Sequence, residues 1–145
     1  MSLFEMPGHL IRRLNQISTS LFQREMKNAG IDLTQVQFAA LHAVRESPGI
    51  DQAGLASKIA YDRATIGGVV DRLEQKGLVE RIVSPRDKRA RELRVTQKGE
   101  KLFSKILPKV HAVQQDILLG LSPDEREAFL LLATKVVHQA AQSDL

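Results

Sequence analysis

One basic segment near the middle of the chain constrains the fold more than any other feature. Residues 81–94 read RIVSPRDKRARELR and contain six basic and two acidic residues, a surplus of four that equals the formal net charge of the whole chain, +4. Because the rest of the chain is neutral overall, this segment is suited to contact a polyanion. A charge run by itself is more often a solvated surface or a disordered tail.

The residues around that segment favour an ordered hairpin. Apolar residues at 78–79 and 82–83 precede the turn-forming sequence SPRD at 84–87, and apolar and charged residues alternate over 92–95. Apolar residues in strand-like order on both sides of a turn sequence are typical of two antiparallel strands. The pattern therefore predicts a β-hairpin with a long basic tip.

Composition excludes several classes of function. A chain of 145 residues with 43% hydrophobic residues is expected to form one domain, and its 4% aromatic content is low for a protein that stacks single-stranded bases. There is no cysteine, so disulfides, thiolate chemistry and cysteine-based zinc sites are excluded. The four histidines lack metal-binding spacing, and we predict no metal and no cofactor. No signal-peptide pattern or membrane-spanning run is present, which favours a cytoplasmic protein without membrane contact.

Periodicity and capping residues predict six helices. Their expected spans are 7 to about 29, 35–46, 52 to about 59, 62–76, 97 to about 119, and a last helix from 123. The predicted fold class is mainly α with a small β-hairpin wing, a winged helix-turn-helix flanked by N- and C-terminal dimerisation helices. The corresponding domains are residues 1–33, 34–95 and 96–145.

The third and fourth helices fit a helix-turn-helix. With the apolar stripe of the fourth helix turned inward, its outer face carries two adjacent glycines, Gly67 and Gly68, which cost about 1 kcal/mol each relative to alanine. A helix that lies in a DNA major groove needs such close approach, and Arg63 and Thr65 are suited to contact base edges. The alternative is that the glycines only permit tight packing between helices.

A recognition helix followed directly by a basic hairpin describes a winged helix. The helix would read the major groove, while the hairpin would place arginines along phosphates or in the minor groove. The predicted DNA-contacting residues come from the helix and from the tip. They are Arg63, Ala64, Thr65, Gly67, Gly68, Arg72, Arg86, Asp87, Lys88, Arg89 and Arg91.

The ordered motifs LEQKGLVER at 73–81, DKRA at 87–90 and LRVTQKG at 93–99 resemble the MarR family of bacterial winged-helix transcriptional regulators. The resemblance implies a homodimer on a pseudo-palindromic double-stranded operator, most often a repressor relieved by a small ligand. It also implies that Arg89 enters the minor groove and that Asp87 pairs with a neighbouring arginine, for which Arg81 is the candidate. Asp62 stands where an exposed serine commonly opens the recognition helix, so one DNA-facing hydroxyl is missing.

Apolar seams on the first and last helices favour dimerisation, because they offer more apolar surface than a small domain buries alone. The alternative is an ordinary monomeric core. The opening PGHLIRRLNQI resembles regulators of nicotinate or related aromatic-acid catabolism, which implies an aromatic carboxylate effector.

Candidate effector-binding residues combine cationic or polar groups with an aromatic wall. They are His9, Arg13, Gln16, Phe38 and His42. The alternative for each is structural: Arg13, like Arg12, as a solvated helix charge, and His42 as a histidine at the core edge.

Three other classes of function compete with this interpretation. An enzyme is disfavoured because no catalytic motif is present. A non-specific architectural DNA-binding protein would need no groove-reading helix and no ligand switch. A winged helix that binds only protein is disfavoured by the intact basic wing.

Overall fold

Helices with one two-stranded hairpin make up the protein, for which a computed structural model describes residues 1–143. A short 3-10 helix at Leu3–Glu5 comes first. The remaining elements are α1 (Pro7–Asn28), α2 (Gln35–Glu46), α3 (Gln52–Lys58), α4 (Ile66–Gln75), β1 (Val79–Val83), β2 (Arg91–Val95), α5 (Gln97–Ile117) and α6 (Pro123–Gln142). The predicted architecture, mainly α with a small hairpin, is confirmed. The predicted segment 96–145 ends with residues 144–145, which lie outside the described residues.

Side-chain caps explain why most helices begin where the sequence predicted. Thr34 and Ser122 each form a reciprocal capping box, with Gln37 and Glu125 respectively. Asp51 Oδ1 accepts a hydrogen bond of 2.7 Å from the amide of Gly54 at the start of α3. These contacts satisfy backbone N–H groups that have no partner within the helix.

The start of α4 differs from the prediction, which began this helix at Tyr61 and Asp62. In the structure Asp62 Oδ1 accepts a 2.9 Å hydrogen bond from the amide of Ala64. The amides of Thr65 and Ile66 donate to the Asp62 carbonyl oxygen. Because Asp62 organises this separate turn, Arg63, Ala64 and Thr65 precede the helix, which begins only at Ile66.

The core lies where α1, α2 and α5 meet the winged helix. Its fully buried large side chains come from all of these elements and include Phe22, Leu41, Leu55, Leu73, Leu93, Phe103 and Ile106. The ring of Phe38 on α2 stacks on that of Phe103 on α5, with ring centres 5.8 Å apart. This packing joins α2, the helix before the helix-turn-helix, to the long helix α5 that follows the hairpin.

The base of the hairpin has a further backbone partner, the segment that joins α2 to α3, which the sequence did not reveal. Strands β1 and β2 are antiparallel, with Arg81 opposite Leu93. On the other edge of β2, the amide of Leu93 donates to the carbonyl of Ile50 at 2.8 Å, and the amide of Gly49 donates to the Leu93 carbonyl at 3.0 Å. The hairpin, residues 79–95, is called the wing below, and its base is therefore held on both sides.

The last helix is packed very differently from the others. Among its 20 residues none is buried. Several large apolar side chains are exposed, and they are Leu130, Leu131, Leu132, Val136 and Val137. Within residues 1–143, no helix is long and apolar enough to cross a membrane.

Candidate nucleic-acid interface

Helix α4 divides into a buried face and an open face. Its apolar side chains, Ile66, Val69, Val70 and Leu73, are all buried against the core. The opposite face exposes Gly68, Asp71 and Arg72, while Gly67 is half-buried. The predicted inward and outward faces are thus the ones the structure has, and the open face is free of the protein's own core.

The two glycines on α4 have different surroundings. A Cβ atom built on Gly68 would meet nothing within 4 Å, whereas one on Gly67 would lie 3.5 Å from Nε2 of Gln52. Packing between helices therefore does not require glycine at position 68. The open space beside Gly68 is available to a groove wall, in keeping with the predicted close approach.

The turn before α4 presents further polar groups beside this face. Arg63, Ala64 and Thr65 are all exposed. The hydroxyl of Thr65 donates to the carbonyl of Asp62 at 3.2 Å, and it makes no cap contact with the helix. The side chain of Asp62 is occupied with the turn itself, so its role is to shape the loop that carries Arg63.

Two nested turns order the wing tip. The buried hydroxyl of Ser84 accepts hydrogen bonds from the amides of Arg86 and Asp87, at 3.2 and 3.3 Å. It also donates to Glu92 Oε1 at 3.2 Å. Asp87 Oδ1 accepts from the amide of Arg89 at 3.0 Å. The tip is thereby held in one shape, which lowers the entropic cost of binding through it.

The prediction that Asp87 pairs with Arg81 is wrong. The resemblance implied that Asp87 pairs with an arginine, and Arg81 was the candidate. In the structure Arg81 pairs with Asp71 at 2.6 Å and with Glu74 at 3.1 Å, both on α4. Asp87 stabilises the wing by accepting a hydrogen bond from a backbone amide instead, because its short side chain places the carboxylate next to the amide two residues further along the chain.

The basic side chains around this surface are uncompensated. Six of them have no ion-pair partner among residues 1–143, and they are Arg63, Arg72, Arg86, Lys88, Arg89 and Arg91. All six are exposed. Arg94, in contrast, pairs with Glu92 at 3.3 Å. The open face of α4, the turn before it and the wing tip together form a basic surface, suited to a polyanion with grooves.

Only part of the predicted effector site lines a cavity. Phe38 and His42 line a cavity of about 330 Å³ between α1, α2, α3 and α5, whose apolar wall includes Phe22, Ile59 and Val110. The predicted residues His9, Arg13 and Gln16 are not among its lining residues. His9 instead lies edge-on to Phe4, with ring centres 5.6 Å apart. Arg13 and Gln16 are exposed on α1.

Charged groups at this cavity form a small network. Glu46 lies 3.0 Å from Nε2 of His42 and 3.1 Å from Nζ of Lys58. The hydrogen bond from Lys58, then the charges of His42 and Lys58, lower the pKa of Glu46 from its ordinary value. The sequence did not indicate that Lys58 lines this cavity, because no local pattern shows that α3 turns this side chain toward α2. Within residues 1–143 no cluster of His, Asp and Glu is arranged to hold a metal ion.

Comparisons with known proteins agree with this geometry. A model of the MarR family matches residues 33–90. Transcriptional regulator HosA from Escherichia coli O111:H- is 34% identical over 138 residues, which cover 95% of this chain and 99% of that protein. Two solved structures are similar over nearly the whole chain. One is the structure of Bordetella bronchiseptica BpsR, whose DNA binding is regulated by 6-hydroxynicotinic acid; its TM-score is 0.87 at 30% identity, covering 94% of this chain and 96% of that chain. The other is the structure of transcriptional repressor CouR bound to a 23-mer DNA duplex; its TM-score is 0.84 at 27% identity, covering 93% of this chain and 94% of that chain.

Proposed function

Because this chain belongs to the MarR family of transcriptional regulators, we propose that it is a homodimeric repressor that binds a pseudo-palindromic operator and is released by an aromatic carboxylate. Members of this family are regulators and not enzymes. The observation that carries the DNA-binding part is the set of six uncompensated basic side chains on α4, on the turn before it and on the ordered wing tip.

Each part of this surface has a task on DNA. The open face of α4 enters the major groove, where Arg63, Thr65 and Arg72 reach base edges or adjoining phosphates. The wing tip lies along the neighbouring backbone, with Arg89 in the minor groove and Arg86, Lys88 and Arg91 near phosphates. The structure of CouR with a DNA duplex shows that a similar chain binds double-stranded DNA.

The exposed apolar surface of α6 supports the proposed dimer. Leu131 is 71% exposed and Val136 is 65% exposed, on a helix that has no buried residue. A helix with such a surface is stable when a second copy covers it. A twofold dimer would present two copies of α4 to two half-sites.

The effector site that the structure supports best is the cavity beside Phe38 and His42. Its aromatic and aliphatic wall fits a planar ring, Lys58 supplies a cationic partner for a carboxylate, and the imidazole of His42 supplies a ring nitrogen beside it. Lys58 belongs to α3 of the helix-turn-helix, so a ligand bound there would contact the DNA-binding unit directly. The alternative site at His9, Arg13 and Gln16 stays a prediction.

One experiment tests the DNA-binding part. A duplex selected by the protein from a randomised library is used for footprinting and for competition with a scrambled duplex of the same length. We expect protection of an imperfect inverted repeat whose half-sites lie about 34–36 Å apart or a multiple of that, and preference for the selected duplex by at least about 10³-fold. Equal affinity for both duplexes would identify a non-specific architectural protein.

A second experiment tests the effector. Calorimetric titration of benzoate, salicylate and 6-hydroxynicotinate, with and without the selected duplex, measures binding and its coupling to DNA. We expect coupling of about 1–3 kcal/mol that is equal in both directions. Lys58→Met should remove binding at the cavity, whereas a His9→Ala, Arg13→Ala double variant should remove binding at the N-terminal site. If none of the three acids binds, the proposal of an aromatic carboxylate effector is wrong.

A further inference from the structure

Arg81, in the first strand of the wing, makes four hydrogen bonds that join three elements. Its Nε donates to Gln52 Oε1 on α3 at 2.9 Å. Its Nη1 donates to Glu74 Oε1 at 3.1 Å, and its Nη2 donates to Asp71 Oδ1 at 2.6 Å, both on α4. Nη2 also lies 3.4 Å from the carbonyl oxygen of Gly67. One side chain thus connects the wing to both helices of the helix-turn-helix.

Because of these contacts, Arg81 is not expected to touch DNA. Its side chain is only 19% exposed and its donors point to four acceptors of the protein itself. The sequence places Arg81 in the same basic run as Arg86 and Arg89, but its charge is paired with Asp71 and Glu74. Its effect on DNA binding must therefore be indirect.

The position of Arg81 explains how it can affect DNA binding without touching DNA. It lies opposite Leu93 in the hairpin, and the other edge of Leu93 is bonded to Gly49 and Ile50. The wing base is held by backbone bonds on one side and by the Arg81 side chain on the other. Only the Arg81 side chain joins the wing to α4 through charged groups among residues 1–143.

We propose that Arg81 is a positioning residue for sequence-specific DNA binding. It fixes the wing relative to α4, so that the wing reaches its backbone and minor-groove contacts at the same time as α4 reaches base edges. This inference rests on the function proposed above. It adds a determinant of specificity that itself touches no DNA.

Specific and non-specific DNA binding depend differently on how firmly the wing is held relative to α4. Non-specific binding depends on the number of basic groups near phosphates and tolerates a variable distance between wing and helix. Specific binding needs both sets of contacts in one register, so a loosened wing loses preorganisation. The single charge of Arg81 also offsets part of the negative charge of Asp71 and Glu74, two exposed carboxylates on the DNA-facing helix that would otherwise repel phosphates more strongly.

The decisive variant is Arg81→Lys, which keeps the charge and loses the planar fork that serves three acceptor side chains. Affinity is measured for the duplex selected by the wild-type protein and for a scrambled duplex, over a range of salt concentrations. We expect the affinity for the selected duplex to fall roughly tenfold while that for the scrambled duplex and the salt slope stay unchanged. The specificity ratio is the readout that a general loss of stability does not change in this way.

Arg94→Lys is the matched control. Arg94 is an exposed arginine on the adjacent strand whose one ion-pair partner among residues 1–143 is Glu92, so its replacement should leave both affinities unchanged. Gln52→Met is a second variant, which removes the contact to α3 without changing any charge. It should lower the specificity ratio in the same direction, by a smaller factor, and it keeps the inference testable if Arg81→Lys does not fold.

The possible outcomes distinguish a failure of this inference from a failure of the proposed function. If the wild-type protein does not prefer the selected duplex, the proposed function fails. If the wild type is specific and both Arg81→Lys and Gln52→Met retain the wild-type ratio, the positioning role is wrong. An equal loss of affinity for the selected and scrambled duplexes would make Arg81 a direct contact to the DNA backbone and would also overturn the proposal.

Discussion

Gly99, at the start of α5, is required by a close approach of two backbone segments. A Cβ atom at this position would lie 2.2 Å from the carbonyl oxygen of Leu78 and 2.7 Å from Cγ1 of Val95. Leu78 directly precedes the wing and Val95 ends it, so neither can move without disturbing the hairpin. Gly68 on α4 faces open space instead. The same residue type therefore has a packing role at one position and a surface role at the other.

We expect Gly99→Ala to destabilise the protein by about 1–3 kcal/mol, because the new methyl group overlaps backbone atoms. Gly68→Ala is the control and should leave stability unchanged or raise it by up to about 1 kcal/mol, because alanine favours the helix. Urea unfolding followed by circular dichroism measures both. Equal stability of the two variants would contradict the close approach at position 99.

Gly68→Leu tests whether α4 docks in a groove. The side chain has room in the free protein, so the variant should fold normally by circular dichroism. On DNA the added side chain should prevent close approach, and affinity for the selected duplex should fall at least about tenfold. Normal affinity in a mobility-shift titration would place Gly68 outside the interface.

Glu46 is the residue at the cavity that should oppose an anionic ligand. Its pKa is lowered by Lys58 and His42, so its charge persists below the ordinary titration range of a glutamate. We expect Glu46→Gln to strengthen benzoate or salicylate binding severalfold, because it frees Lys58 and removes a like charge. Calorimetry with both proteins at neutral pH, where the carboxyl group of the ligand is ionised, measures this, and unchanged affinity would place the ligand elsewhere.

At the scale of elements, the wing is a rigid unit with a basic outer edge. Ser84, Asp87 and Glu92 order its tip through hydrogen bonds, and Leu93 joins its base to the segment before α3. Apart from a long hydrogen bond of 3.5 Å from Arg91 Nη1 to the carbonyl oxygen of Lys88, the exposed arginine side chains of the tip are not used for this internal order. Removing one of them should therefore change DNA binding without changing the fold.

Arg89→Ala should weaken binding to the selected duplex by about 1–3 kcal/mol per subunit and reduce the salt slope by about one for each phosphate that Arg89 neutralises. The effect should be larger on an A·T-rich flank than on a G·C-rich one, because a narrow minor groove attracts arginine. Mobility-shift titration at several salt concentrations measures both quantities. A folded variant with wild-type affinity would rule out a role of Arg89 in DNA binding by the wing.

At the scale of the whole molecule, α6 is the helix whose apolar side chains stay exposed in a single chain. It has excellent local signals, a capping box with Ser122 and a proline at its first turn, yet it buries no residue. Local signals set where this helix forms, and burial of its apolar side chains needs a further surface. We propose that a second copy of the chain supplies it.

Leu131→Asp should weaken dimerisation at least about tenfold, because a charge replaces an apolar side chain in the proposed interface. The fold of each subunit should survive, since Leu131 is 71% exposed and lies outside the core. Leu131→Met is the matched control and should remain dimeric. Sedimentation of the three proteins measures the equilibrium, and a wild-type protein that is monomeric at all concentrations would overturn the proposed dimer.

The sequence by itself determined the features that depend on neighbours along the chain. Capping residues such as Thr34, Asp51 and Ser122 located helix starts, and alternation around a basic turn located the hairpin. Motifs within 73–99 were sufficient to identify the MarR family, which the comparisons confirm. The start of α4 was wrong, because the Asp62 side chain closes a turn that helix periodicity alone does not reveal.

Only the tertiary structure decided which distant residues meet. Arg81 finds Gln52, Asp71 and Glu74 instead of Asp87, and Lys58 meets Glu46 beside the cavity. A basic residue in a charged run looks the same in sequence whether it faces solvent or the protein, because long-range pairing depends on how helices and strands pack. Charge and periodicity are local properties, whereas the partner of a charge is a property of the folded chain.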